Sequence, residues 1–291
     1  MEPGVGEYSL PNANLFEPQR LAENAAIWIA HLDEALGRTI PEDRLPEIMA
    51  HAREVAQSEP VIHVAPMTGL STILENSAIM PNAEGADLGG TRSNTFDFDI
   101  ELGLSEYVFG DINKFHWSLD RRAAFFIDPR FMETSEAVVT MEDFANLRLA
   151  GFPPDRQIQI YQQESFTGKD FYREIFPRML ALTFRQSPEK YHLEGAPFRK
   201  LVDSPFGQDN ALYVLSPEVK LPAVPMDQIM GLYYSPGIGI GVSEQYRAKC
   251  QTMLDQIEST LAKRRGVEPD SLIFSYDHAE CYAKTKEIIT T

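Results

Sequence analysis

Apolar residues along the chain change rhythm several times, and each change marks an element. Residues up to about Phe16 are rich in Gly, Pro and Asn with little periodicity, which predicts an extended arm. From Pro18 to Leu36, the residues Leu21, Ala25, Ile27, Trp28, Ala30, Leu32 and Leu36 fall at mixed three- and four-residue spacing, so a helix is expected with Gly37 as its stop. Pro41 is expected to open a second helix through Ile48 and Ala52 towards Val55, closed off at Ser58-Glu59-Pro60. At Val61 the texture changes to a short apolar run, VIHVA, followed by Pro66 and then by Leu70, Ile73 and Leu74 at helical spacing: a strand leading into a short helix. Further strands are predicted at Glu106 to Phe109, Ala123 to Asp128, Ala211 to Leu221 and Ile229 to Tyr234. Helices are predicted near Met141 to Leu149, Lys169 to Phe184 and Ser243 to Arg265. Strands and helices follow one another irregularly, which speaks for an α+β fold rather than a doubly wound parallel sheet. The expected division is an arm and helical annex over residues 1–59 and an α+β domain over residues 60–291.

Composition supports a folded chain and narrows its partners. Hydrophobic residues make up 43% and charged residues 24%, enough to bury a substantial core and far from the signature of disorder. A formal charge of −17 repels phosphate backbones, so bulk nucleic-acid binding is disfavoured. The compact basic clusters are Arg121-Arg122 and Lys263-Arg264-Arg265, the latter at an expected helix C-terminus, where positive charge suits the dipole. Cys250 and Cys281 make no disulfide framework, the N-terminus has no signal-peptide pattern and no apolar run approaches a membrane span. A cytoplasmic, reducing location is the expectation, with no membrane partner.

Several segments carry polar groups in patterns that chemistry uses. In TFDFDIELG, Asp97, Asp99 and Glu101 alternate, so in a strand they share one face and could bind a divalent cation, or form a solvated face opposite Phe96, Phe98 and Ile100. The Gly237-Ile238-Gly239 stretch lies between a strand and a helix with Ser243 as its N-cap, but Val242 stands where a dinucleotide fingerprint needs its third glycine. His63 lies in an apolar strand, a setting in which a core histidine holding one hydrogen bond is commoner than a ligand-binding group. No Walker loop, nucleophile elbow, H-E-x-x-H or paired-cysteine zinc motif is present.

Short motifs in a fixed order give a resemblance. The run Val61 to Pro81, with its His strand, turn and Leu70, Ile73, Leu74 helix, resembles the opening element of the ADP-ribosyltransferase superfamily, although Ser77 or Ala78 stands near the place of the family glycine. Leu104 to Phe109 is similar to a second element of the DarT toxin family within it, and Phe166 to Arg173 resembles a helix-opening stretch of that group without its histidine. Leu215 to Leu221, followed by Val224 to Ile229, resembles the strand carrying the family's catalytic glutamate and the turn after it.

The resemblance implies a split-sheet α+β core with C-terminal helices, NAD as substrate and no metal. It implies Glu218 as the catalytic carboxylate, His63 on the adenosine ribose, Tyr107 stacked on nicotinamide and Arg92 facing the pyrophosphate. Such a site would be a mono-ADP-ribosyltransferase or NAD glycohydrolase, toxin-like, with a protein, nucleobase or small molecule as acceptor. Two other readings stand beside it. The same fold could serve as a binding or assembly module, for instance a homodimer through its helical surfaces, or the Asp97, Asp99 and Glu101 face could make a metal-dependent hydrolase.

Overall fold

The computed structural model describes residues 15–81, 103–112, 122–134, 136–141, 153–186, 198–199, 204–206, 214–215, 217–234, 243–269 and 278–291. Arg92, the Asp97, Asp99 and Glu101 face, the Gly237 to Gly241 loop and nearly all of the expected helix Met141 to Leu149 lie outside these residues.

Two helices lead into the sheet. Helix α1 (Pro18–Thr39) buries Leu21, Ala25, Trp28, Leu32, Ala35 and Leu36, whereas Ile27 and Ala30 of the expected apolar set face solvent. It runs through Gly37 and stops at Ile40, which is extended with φ −117° and ψ 129°. The following Pro41 disfavours the helical region for the residue before it, so Pro41 rather than Gly37 ends the helix. Helix α2 (Leu45–Ser58) has its proline, Pro46, in the first turn. Pro41 therefore does not open α2; its carbonyl instead accepts from the N–H groups of Arg44 and Leu45 in the intervening turn.

The rest of the chain builds a sheet and its cover: β1 (Val61–Pro66), α3 (Leu70–Asn76), β2 (Ala78–Ile79), β3 (Val108–Ile112), β4 (Arg122–Ile127), α4 (Pro129–Thr134), β5 (Val138–Thr140), α5 (Pro154–Gln163) and β6 (Ser165–Thr167). Next comes α6, a continuous helical run made of Gly168–Asp170, a π-helical turn Phe171–Ile175 and Phe176–Gln186. Then follow β7 (Phe198–Arg199), β8 (Val214–Leu215), β9 (Glu218–Leu221), β10 (Val224–Pro225), β11 (Ile229–Tyr234), α7 (Glu244–Arg265) and α8 (His278–Thr290). The fold is α+β, with a seven-stranded sheet in the order β11-β4-β1-β3-β9-β5-β6 and antiparallel pairing throughout. The expected strand from Ala211 to Leu221 is two pieces: β8 pairs with β7 in a separate ribbon, and β9 joins the main sheet. Pro217, which has no N–H to give a ladder, stands just before β9.

One face of this sheet carries the main core. Val61 and Ala65 of β1, Val108 and Ile112 of β3, Phe125 of β4, Val139 of β5, Phe166 of β6 and Val219 and Leu221 of β9 are buried together with Trp28, Leu32, Ala52, Val55 and Phe176. Helices α1 and α2 therefore share one interior with the sheet. Thr167 caps the start of α6, its hydroxyl accepting from the Asp170 N–H at 3.0 Å and donating to the Asp170 carboxylate at 2.8 Å. Ser243 caps α7, and Gly266 closes it in the left-handed region at φ 65°. Ser77 is the C-cap of α3 and takes the left-handed conformation, at φ 52° and ψ 32°.

The sheet is joined across its middle by a short seam. Strands β1 and β4 pair over six residues, but β1 and β3 pair only at Val61 with Ile112 and Ile62 with Asp111. The two halves, β11-β4-β1 and β3-β9-β5-β6, are thus one ladder held by two residue pairs rather than two separate small sheets. Close approach at the seam needs Gly110, where an added Cβ would lie 2.5 Å from Cγ1 of the fully buried Val61. Past Ile62 the backbone ladder ends and the His63 imidazole meets the Phe109 carbonyl instead, at 2.7 Å.

Gly110→Ala is expected to lower stability by about 1–3 kcal/mol through overpacking, read as a lower urea midpoint. If the clash with Val61 is the cause, adding Gly110→Ala to a Val61→Ala background costs little further, and an unchanged penalty there would refute it. In the π-helical turn the buried Tyr172 hydroxyl has no hydrogen-bond partner among the described residues. Burial first, and the charge of Glu59 second, push its ionisation well above the ordinary tyrosine range. Tyr172→Phe removes that desolvated hydroxyl and is expected to raise stability by about 1 kcal/mol; a lowered melting temperature would contradict this.

Candidate functional site

Strand alternation divides β9 between two environments. Val219 and Leu221 enter the main core, so Glu218 and Lys220 project from the opposite face. Their cross-strand neighbours are Asp111 and Phe109 on β3 and Thr140 and Val138 on β5. Lys220 is completely buried, whereas the Glu218 side chain keeps 13% of its surface exposed. The ammonium donates to Glu218 Oε2 at 2.6 Å and to Thr140 Oγ1 at 2.7 Å. The Thr140 hydroxyl in turn donates to the Glu218 carbonyl at 3.4 Å. A second donor, the Tyr161 hydroxyl of α5, reaches the same Oε2 at 3.4 Å. The ammonium also lies 4.7 Å from the Tyr161 ring centroid and 5.9 Å from that of Phe109. A buried lysine is tolerable because its charge is paired and its donors are used.

Aromatic residues roof this face. Leu15, Leu104, Ile160 and Tyr161 form a buried cluster with Phe16, Tyr107, Phe109 and Ile158 packed against it. Phe16 lies edge-on to Tyr107 and tilted against Tyr161, at 5.9 Å in both cases. Tyr107 sits in the turn before β3, its N–H bonded to the Leu104 carbonyl, so the expected strand start at Glu106 is displaced to Val108. Burial, then the charges of Glu106 and Glu136, raise the ionisation of the Tyr107 phenol. The structure brings Tyr107 and Glu218 to the same side of the sheet, with Phe16 and Tyr161 between them.

His63 stands elsewhere. Ile62, Asp111 and Glu218 form one lateral row across β1, β3 and β9, so His63, the next residue of β1, projects from the other face. It lies opposite Phe125, ring to ring at 6.4 Å. A carbonyl oxygen can only accept, so Nδ1 bears the hydrogen and Nε2 is left as an acceptor. Burial lowers the histidine's pKa from its ordinary value, partly opposed by the Phe109 bond. Arg92 lies outside the described residues.

Lys220, Thr140 and Tyr161 were not anticipated. The pattern Glu218-Val219-Lys220-Leu221 carried a signal for the first, since strand alternation puts Lys220 beside Glu218 and away from the apolar pair. Thr140 and Tyr161 arrive from elements distant in the chain, and no local pattern links them to Glu218.

Chemically, the cluster offers a carboxylate at the edge of an apolar roof, oriented by an ammonium and a phenol. It can accept a hydrogen bond from a hydroxyl and stabilise positive charge developing beside it. No described helix is long and apolar enough to cross a membrane, and no group of three metal-ligating side chains occurs among the described residues. No protein-family model matches this chain, and no curated protein matches it significantly.

The shift of His63 sets a pH dependence. The unfolded chain takes up a proton at the ordinary histidine pKa of 6.5, whereas the folded chain resists it. The stability linked to His63 is therefore complete above 6.5 and lost as the pH falls from there towards the lower folded value. His63→Asn, which keeps a donor near the Nδ1 position but does not titrate, is expected to lose less stability than wild type between about pH 7.5 and pH 5.5. Urea denaturation of both proteins at the two pH values is the check, and parallel losses would count against it.

Proposed function

We propose that this chain is a NAD-dependent mono-ADP-ribosyltransferase, with Glu218 as the catalytic carboxylate. The observation that carries the reading is the setting of Glu218: a partly exposed carboxylate at the first position of β9, one strand from the seam, with Oε2 fixed by Lys220 and Tyr161. In the proposed reaction the bond between nicotinamide nitrogen and ribose C1′ breaks, and its electron pair leaves with nicotinamide. The sugar passes through an oxocarbenium-like state, which the carboxylate stabilises while accepting a hydrogen bond from a ribose hydroxyl. An acceptor nucleophile then bonds to C1′ and gives up its proton. Protein, nucleobase and small-molecule acceptors all fit this step, and water gives NAD hydrolysis.

The tautomer of His63 suits the role assigned to it, because an Nε2 acceptor can receive a ribose hydroxyl. Tyr107 offers an aromatic ring on the Glu218 side, and Arg92 is assigned to the pyrophosphate. A second reading, a NAD-binding or assembly module without turnover, is favoured by one feature: the Lys220 ammonium already neutralises the carboxylate that would stabilise the transition state.

The test is calorimetric titration of NAD into wild type and Glu218→Gln, followed by assay of released nicotinamide. Wild type is expected to bind NAD and release nicotinamide, and the variant to bind comparably with release reduced roughly a hundredfold or more. Binding by wild type without release supports the module. Absence of binding to either protein, or equal release from both, sinks the transferase assignment.

A further inference from the structure

We propose that Lys220 is a positioning residue for Glu218, holding its carboxylate ionised and in one orientation from inside the sheet; the part of this that concerns catalysis rests on the transferase reading. Lys220 has no exposed side-chain surface, so it does not meet a ligand and acts through its neighbours. Those neighbours are fixed. Thr140 comes from β5, a strand paired on both sides, and its hydroxyl is tied back to the Glu218 carbonyl. Tyr161 comes from α5, is buried in the aromatic roof, and presents its ring to the ammonium and its hydroxyl to Glu218 Oε2. The two donors converge on one carboxylate oxygen from different elements, which restricts the carboxylate plane more than either alone.

The same arrangement sets the charge state. Around the Glu218 carboxylate stand Asp111 across the ladder on β3, the Tyr161 phenol from α5 and Lys220 on its own strand, while Thr140 on β5 does not titrate. A second acidic side chain on the same face, together with burial, favours the protonated acid. The ammonium at 2.6 Å opposes both. Without it, burial and the neighbouring carboxylate act unopposed against the charge that the transition state needs.

The experiment follows the Glu218 carboxyl directly, by carbon NMR titration of the full-length protein labelled at glutamate side chains, with Glu218→Gln identifying the resonance. In Lys220→Met, which keeps the length of the side chain and removes its charge, the Glu218 midpoint is expected to rise by at least about one pH unit, a tenfold change in its protonation constant. Lys220→Arg, which restores the charge, moves it back. Nicotinamide release should follow the same displacement in its acid limb, with kcat reduced, KM for NAD little changed and partial recovery in the arginine variant.

An unmoved Glu218 midpoint in a folded Lys220→Met protein overturns the proposal and leaves Lys220 a packing residue. Should the methionine variant not fold, the wild type decides: the Lys220 Nζ resonance must step at the Glu218 midpoint, and its indifference to that titration overturns the proposal equally. The NMR arm needs no NAD. A coupled pair without NAD turnover therefore sinks the transferase reading alone, and turnover without coupling sinks the role of Lys220 alone.

Discussion

The narrow contact between β1 and β3 is the constraint on which the rest of the structure depends. Two residue pairs hold the halves of the sheet in one ladder, and they can do so only because Gly110 presents no side chain to Val61. Beyond the seam an imidazole takes over from the backbone ladder, and a group that protonates near neutrality is a costly tie unless it stays neutral. Burial lowers the His63 pKa and so favours the neutral ring, which gives the tie and its pH sensitivity the same cause.

Much of this fold was legible in the sequence wherever an element carries its own period. Helix α1 declared itself through Leu21, Ala25, Trp28, Leu32 and Leu36, and α7 through the Ser243 cap and the basic last turn that precedes Gly266. The errors came from punctuation. Gly37 has the same residue type as a helix stop but nothing at that site requires a left-handed turn, while Pro41 acts on the residue before it whatever the context. Ser77 shows the converse: the chain needs a left-handed residue after α3, and a serine adopts it.

The site was legible one residue at a time and not as a constellation. The sequence pattern puts both Glu218 and Tyr107 on strands, whereas Tyr107 sits in the turn before β3, and their relation depends on Phe16 and Tyr161, which approach from the start of the chain and from α5. Strand alternation alone places Lys220 beside Glu218 but cannot say whether that face meets solvent or a roof. The outcome turns on α5 and the Leu15-Phe16 segment covering β3 and β9, a long-range packing decision. Once covered, Lys220 had to find partners, and Glu218, Thr140 and two rings are among those it meets.

The row Ile62, Asp111, Glu218 also bears on the proposed pairing of His63 and Glu218 at one ligand. Since His63 and Glu218 leave the sheet on opposite faces, a ligand that meets both cannot lie flat on either one. It has to pass the edge where β1 and β3 part company, just beyond Ile62. An extended molecule with hydroxyl-bearing sugars near both ends suits such a path. NAD has that form, with two riboses joined through a pyrophosphate. If His63 serves only as the tie between the strands, the requirement disappears, and the Glu218 face with Tyr107 can be read alone as a site for a single sugar or another hydroxyl-bearing group. The two cases differ in what His63→Asn does to NAD affinity at constant fold: the elongated arrangement loses the Nε2 acceptor and weakens, while the tie alone leaves affinity as it was.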